Sequence, residues 1–360
     1  MFRFSQLFHI AKRLEMNKTK QAIYRIAAVL LSLFVSGCIL LVIGYNPIEV
    51  YSTIIKGAVG TATSVRETAK LTFPLLMAAL GVSVAFKMKF WNIGGEGQIA
   101  IGAIACSYFA YRHQELNGLT MLVLMILSGT IAGGLYALLP AYFKTKYGTN
   151  ETLFTLMLNY IAVFAIQYFR EGPWRDPSSA GFPIMPRFPK HARISLVLGV
   201  HWGWIIALLT VVLLYLYIKH TKHGYELTVV GENKRTAEYA GMPVTRIILR
   251  TMFISGAIAG LAGVFQVAGA DRQLTETVAG GVGFSGIIIA WLGRLSAPGI
   301  LLVSILFGIL TKGAGTLETM LKIPASMSSV IQGTLLFFVL GAEFFIQYKV
   351  LFRKFGKEVA

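Results

Sequence analysis

One carboxylate stands where a charge is costly. Glu96 lies in the run Trp91-Asn92-Ile93-Gly94-Gly95-Glu96-Gly97-Gln98, which opens a largely uncharged stretch. An acidic side chain at the centre of a membrane helix costs roughly +2.5 to +3.5 kcal/mol, so it must face protein or water. Two roles are open to it. It can belong to a solute pathway or gate together with its amide neighbours Asn92 and Gln98. Alternatively, it can bind backbone N–H groups freed at a helix break, or pair with Lys87 or Lys89; this structural role is favoured. Asn159 and Gln266 also sit in apolar stretches and could hydrogen-bond a polar solute, although an amide there more often bridges two helices. Phe73, Trp91 and Trp291 could stack on a planar ring, with core or lipid contact as the default. His201, Trp202 and Trp204 read as an interfacial belt.

Other chemistry is missing from the sequence. There is no G-x-x-x-x-G-K-[ST] phosphate loop, no H-E-x-x-H, no Cys/His cluster and no G-x-S-x-G elbow. The chain is therefore not expected to hydrolyse ATP, to be an enzyme, or to bind a cofactor or metal. Cys38 and Cys106 lack metal or redox spacing and are expected to be buried, reduced packing residues. Val35-Ser36-Gly37-Cys38 imitates a lipoprotein cleavage site, but the apolar run continues through Ile43. An uncleaved first membrane helix is expected.

These residues need helices in lipid to position them. Hydrophobic residues make up 55% of the 360, charged residues only 14%, and the 37 glycines suit close packing between membrane helices. The expected fold is an all-α polytopic membrane protein with about ten transmembrane or partly spanning helices. Uncharged or nearly uncharged stretches lie at 26–44, 71–86, 97–111, 119–143, 152–169, 196–218, 251–270, 277–293, 295–311 and 324–342. A span needs roughly 20 residues. The stretches 71–86 and 97–111 are short and interrupted by Gly or Pro, so they are expected to be tilted, broken or partial.

The net charge of +17 is spread over short hydrophilic stretches between apolar segments, which is a topology signal and not a nucleic-acid patch. Alternating ten spans from an inside N-terminus puts 21 of the 33 Lys and Arg on the inner side, so both termini are expected in the cytoplasm. The chain then divides into a basic cytoplasmic segment 1–25, a transmembrane domain 26–348 and a cytoplasmic tail 349–360. The domain includes an outer loop at 170–195, rich in proline and aromatics, and an inner loop at 219–250. Within the inner loop, Glu232 to Ala240 reads as a short helix with Asn233 as N-cap, Gly241 left-handed at its end and Pro243 blocking continuation. Such a helix needs a partner to pack against. Gly94-Gly95-Glu96-Gly97 and Gly280-Gly281-Val282-Gly283 share GGxG, which would mark corresponding broken-helix regions in two related halves.

Three motifs carry a family resemblance over about 70–345. They are Trp91 to Gln98, then Gly231-Glu232-Asn233 through Ala237-Glu238-Tyr239-Ala240-Gly241-Met242, then Gly281-Val282-Gly283-Phe284-Ser285-Gly286 through Ala290. Together they resemble the permeases of ABC importers for simple sugars, branched-chain amino acids and nucleosides. Within that class the chain is most similar to nucleoside permeases that work with basic membrane lipoprotein-type receptors. Gly95 departs from the small residue, often alanine, expected there.

The resemblance implies a bacterial inner-membrane importer subunit that forms the pathway with a second related permease, as a heterodimer. It also implies cytoplasmic ATPase subunits carrying ATP and Mg, and an extracytoplasmic solute-binding lipoprotein. Glu232, Asn233, Ala237, Glu238, Tyr239, Ala240 and Gly241 become the element that couples to the ATPase. Asn92, Glu96, Gln98, Asn159, Gln266, Phe284 and Ser285 become candidates for pathway or gate. A ribose-type sugar fits the same chemistry. An ion-coupled transporter is the rival from another class, but it needs clustered intramembrane acids, and only Glu96 is offered. Glu96→Gln is accordingly expected to keep much of the uptake.

Overall fold

The computed structural model describes residues 8–12, 17–179, 181–324 and 326–352. Arg3, Arg13, Arg353, Lys354 and Lys357, which contribute to the charge asymmetry, lie outside the described residues, as does most of the tail 349–360. In chain order the elements are β1 (Phe8–Lys12), α1 (Lys18–Ile43), α2 (Pro47–Val59), α3 (Ala62–Lys87), α4 (Gly95–Arg112), α5 (Gly118–Tyr147) and α6 (Glu151–Glu171). A short hairpin of β2 (Leu196–Val197) and β3 (Val200–His201) leads to α7 (Gly203–His220), α8 (Lys222–Glu232) and α9 (Lys234–Tyr239). Then come α10 (Val244–Phe265), a π-helical turn over Gln266–Asp271, α11 (Val282–Leu292), α12 (Ala297–Leu321), α13 (Ser326–Gln347) and β4 (Tyr348–Phe352).

Each of the ten apolar stretches contains a helix, although 196–218 opens on a β-hairpin and 277–293 on irregular chain. Eight of them (α1, α3, α5, α6, α7, α10, α12 and α13) are long and apolar enough to cross a membrane. α4 has 18 residues and a polar first turn, and α11 has only 11 residues, so these are the two partial elements. The sequence placed the interruption wrongly at 71–86. That stretch is the C-terminal part of the unbroken 26-residue α3, with Pro74 inside it. Membrane helices tolerate such a proline because neighbouring helices re-satisfy the freed backbone. The sequence also left α2 unassigned, since Glu49 and Lys56 interrupt its apolar pattern.

The chain forms two compact units, 1–57 with 313–360, and 58–312. In the first, β1 pairs antiparallel with β4, with Phe8 opposite Phe352 and Lys12 opposite Tyr348. α1 packs on α13, and Arg25 Nε donates to Glu343 Oε1 at 2.7 Å across that contact. Tyr51 on α2 donates to the Leu33 carbonyl at 2.7 Å. Cys38 is exposed on α1, contrary to expectation, while Cys106 is buried. Hydropathy alone does not say which side of an apolar helix meets its neighbour.

In the second unit α10 is the central helix, packed on α5, α3 and α4. Glycines set the spacing. A Cβ on Gly102 of α4 would lie 2.5 Å from the Gly260 Cα of α10, and one on Gly133 of α5 would lie 2.5 Å from the Gly256 carbonyl oxygen. Real Cβ atoms do not approach so closely, so backbone meets backbone along a seam shared by α4, α5 and α10. In lipid such a seam is held by van der Waals contact, because lipid tails are as apolar as the packed side chains.

Candidate functional site

α4 starts at Gly95 without a side-chain cap of its own. Its second residue, Glu96, instead caps another helix. Glu96 Oε1 accepts the Gly281 N–H at 2.7 Å and Oε2 accepts the Gly283 N–H at 2.8 Å, at the N-terminus of α11. Both are orphan donors of a helix start, where the macrodipole favours an anion. Glu96 is only 8% exposed, so without these bonds the charge would be buried and uncompensated. Neither Lys87 nor Lys89 is paired with it among the described ion pairs. Lys89 instead reaches the Glu232 carbonyl at 3.4 Å.

The two GGxG runs thus meet in space. Gly283 must be glycine there, because a Cβ would meet the backbone N and Cα of Glu96. Gly95 need not be, since the nearest atom to its Cβ would be the Gly283 Cα at 3.5 Å, an ordinary contact. The departure from alanine seen in the sequence is sterically free.

The amides lock the loop 88–94 that precedes α4. Asn92 and Gln98 exchange hydrogen bonds, with Asn92 Nδ2 to Gln98 Oε1 at 3.3 Å and Gln98 Nε2 to Asn92 Oδ1 at 3.1 Å. Asn92 also donates to Ser255 Oγ at 3.2 Å, and Ser255 donates to the Gly81 carbonyl at 2.7 Å, which links α4, α10 and α3. Asn159 on α6 accepts the Gly97 N–H at 2.8 Å and donates to the Ile93 carbonyl at 3.0 Å. Thr155 accepts the Ile93 N–H at 3.1 Å. Asn92 and Gln98 thus bond each other, Asn92 also bonds Ser255, Asn159 bonds the backbone of Ile93 and Gly97, and Glu96 separately bonds the backbone of α11; all four side chains are buried side by side at the start of α4. Sequence reading missed Ser255 and Thr155, because hydroxyls in apolar helices usually bond their own preceding turn.

Gln266 is not part of this group. It lies in the π-helical turn and donates to Asp271 Oδ1 at 3.0 Å. Phe284 and Ser285 lie in the first turn of α11, Phe284 exposed and Ser285 half-buried. Trp91 stacks on Trp291 with ring centroids 5.9 Å apart, and Phe86 meets both rings. His201 is not in an interfacial belt. It is buried beside Phe265, neither ring nitrogen has a hydrogen-bond partner among the described residues, and burial with Lys70 nearby pulls its pKa down to about 4.

A second constellation lies at the α8–α9 loop. Asn233 caps α9, accepting from the N–H groups of Arg235 at 3.0 Å and Thr236 at 3.3 Å, as its spacing predicted. Gly241 is left-handed with φ +73°. Glu232, however, is the last residue of α8 and not the first of the short helix, because α8 runs directly into the cap. Ala237 is fully buried, so it anchors α9 and cannot touch a partner. Glu232, Asn233, Glu238, Tyr239, Ala240 and Gly241 are exposed, Tyr239 at 93%. Glu226 on α8 is held by Arg250 at 2.9 Å, and this guanidinium keeps its carboxyl below the usual range. A cleft of about 240 Å³ beside α8 has Lys89, Lys144 and Lys234 on its rim.

Residues 64–340 match the family described as branched-chain amino acid transport system / permease component. The chain belongs to this permease family. It is 31% identical to a glucose ABC transporter permease protein of Haloferax volcanii, over 90% of this chain and 88% of that one. It is 30% identical to a nucleoside ABC transporter permease protein of Lactococcus lactis, covering 90% and 92% of the two chains. It is 31% identical to a guanosine ABC transporter permease protein of Bacillus subtilis, covering 87% and 91%. This permease is an integral membrane protein and the membrane-spanning subunit of an ABC transporter, a system that requires ATPase and further permease subunits.

Proposed function

We propose that this permease imports nucleosides. Its likeness over about nine-tenths of its length to two permeases named for nucleosides carries the reading. The chemistry of the membrane region agrees with it. The buried group is built from amides and one carboxylate already bonded to backbone, and offers no pair of opposite charges for a zwitterionic amino acid. A neutral solute with a ring and hydroxyls suits such a passage.

In this proposal the termini and the α8–α9 loop lie in the cytoplasm, and the outer loop 170–195 receives solute from an extracytoplasmic lipoprotein. The subunit pairs with a related, non-identical permease. It binds no cofactor and has no enzymatic activity itself; ATP and Mg act on the ATPase. The exposed tip Glu238, Tyr239, Ala240 and Gly241, with Glu232 and Asn233 beside it, seats in that ATPase. Tyr239 is the aromatic anchor typical of such contacts. Glu96 holds the α4–α11 junction, Asn92, Gln98 and Asn159 hold the loop that precedes α4, and none of the four contacts solute.

Uptake of labelled guanosine, adenosine, ribose, glucose and leucine, in cells with and without the gene, tests the substrate. Loss of guanosine and adenosine uptake alone is expected. The glucose-named relative at similar identity favours a sugar as the second reading. Loss of ribose or glucose uptake with nucleoside uptake intact would establish that reading and remove the first.

A further inference from the structure

Between the π-helical turn and α11 the chain has no helix or strand over residues 272–281. The Leu274 N–H donates to Tyr111 Oη near one end of α4, and the Gly281 N–H donates to Glu96 at the other. Those two residues are fifteen apart on α4, about 22 Å of helical rise. Irregular backbone therefore runs down most of the depth of the membrane. Lipid-facing irregular backbone does not occur in the hydrocarbon region, where unpaired N–H and C=O groups have no partner; it is tolerated only inside protein or along a water-filled cavity. Yet Thr277 and Gly280 in this segment are exposed.

The exposed face continues into α11. Phe284 is 43% exposed and Trp291 is 38% exposed, and seven residues of helix place them on one side. Trp91, 46% exposed, stacks on Trp291 and extends the face to the loop 88–94. The Glu96 clasp fixes the start of α11, so the position of this face is set by the clasp behind it.

We infer that the exposed face formed by Thr277, Gly280, Phe284, Trp291 and Trp91 is this subunit's wall of the solute pathway, with an aromatic surface at its α11 end on which an uncharged ring-bearing solute stacks. The inference rests on the permease assignment, and its choice of solute rests on the nucleoside reading. Stacking of a base on an aromatic side chain is tolerant of base identity, which suits a conduit more than a discriminating site.

Single cysteines at Thr277, Phe284 and Val212 test it in the assembled transporter carrying Cys38→Ser. Val212 on α7 is an exposed apolar control. A charged methanethiosulfonate should modify Thr277→Cys and Phe284→Cys at least tenfold faster than Val212→Cys. Nucleotide trapping should change those two rates at least threefold. Rates equal to the control in both resting and trapped states would overturn the inference, as would fast rates indifferent to nucleotide. Saturating guanosine and ribose are added in separate arms. Protection by ribose and not guanosine would leave the wall standing and remove the nucleoside reading. For the aromatic surface, Trp291→Ala should lower uptake at least tenfold and Trp291→Phe less than threefold. Uptake by Trp291→Ala equal to that of the unsubstituted protein would overturn the stacking role.

Discussion

Replacing Glu96 by glutamine isolates what the clasp contributes. The carboxylate accepts two backbone N–H groups at 2.7 and 2.8 Å. A glutamine of the same shape can accept only one, and its NH₂ then points at the second donor. A hydrogen bond to a charged group contributes about 1.5–3 kcal/mol, and an orphaned buried donor costs about 1–3 kcal/mol. Loss of the anion at the α11 N-terminus adds about 0.3–1 kcal/mol. These overlap, so a net destabilisation of about 2–4 kcal/mol follows for Glu96→Gln. At about 2–4 °C per kcal/mol this is on the order of 5–10 °C in Tm. Glu96→Ala, which orphans both donors, should lose more. Sequence alone makes Glu96→Gln a mild change, and the two-donor geometry makes it costlier. Thermal unfolding of the assembled transporter in lipid nanodiscs reads the stability. ATP-driven uptake with and without a protonophore reads the mechanism: Glu96→Gln should reduce uptake in step with its loss of stability and create no dependence on the proton gradient. An unchanged Tm would refute the clasp. Abolition of the unsubstituted protein's uptake by protonophore at constant ATP would refute the structural role in favour of proton coupling.

Gly283→Ala should disrupt the α4–α11 junction and abolish uptake, whereas Gly95→Ala should fall within about 0.5 kcal/mol of the parent, since its Cβ meets only ordinary contacts; paired Tm and uptake measurements check both. His201 has a folded pKa of about 4 against 6.5 for the free group, so its stability contribution is complete above pH 6.5 and is lost as pH falls toward 4, by up to about 3 kcal/mol. Thermal unfolding at pH 7 and 4.5 should show that loss, and His201→Phe should flatten it. Tyr239→Ala and Ala240→Arg should leave the subunit inserted and folded but cut co-purification of the ATPase and solute-stimulated hydrolysis at least tenfold. Ala237→Arg should destabilise α9 itself, visible as protease sensitivity of the loop.

The long helices were legible because long apolar stretches carry their own signal, whereas the span count was too high, since α4 and α11 are shorter elements, and the more polar α2 and α8 gave no such signal. The cap at Asn233 and the left-handed Gly241 were legible because capping is local chemistry. The clasp was only half legible: a lone buried carboxylate announces that it needs partners, but residues 185 and 187 positions away are set by packing. The two GGxG runs touch in the fold, a contact that a shared pattern does not by itself foretell. Pro74 misled because proline breaks helices in water more readily than in a bundle that can re-satisfy the freed carbonyl. Ala237 misled because a motif does not say which of its members face inward.

The glycine seam has a mechanical consequence. Where Gly102 meets Gly260 and Gly133 meets Gly256, backbone lies against backbone and no side chain there can change rotamer to absorb a slide. Such contacts favour movement of these three helices as one body. In the proposed coupling, work delivered at the α8–α9 tip would enter these helices through α10, which begins immediately after the tip at Val244. The stroke would emerge where the chain has no helical stiffness, in residues 272–281, whose far end is tied to α4 through Glu96. On the inferred pathway, the non-helical segment of the subunit is thus the one that would border the conduit, and the helical one would transmit to it.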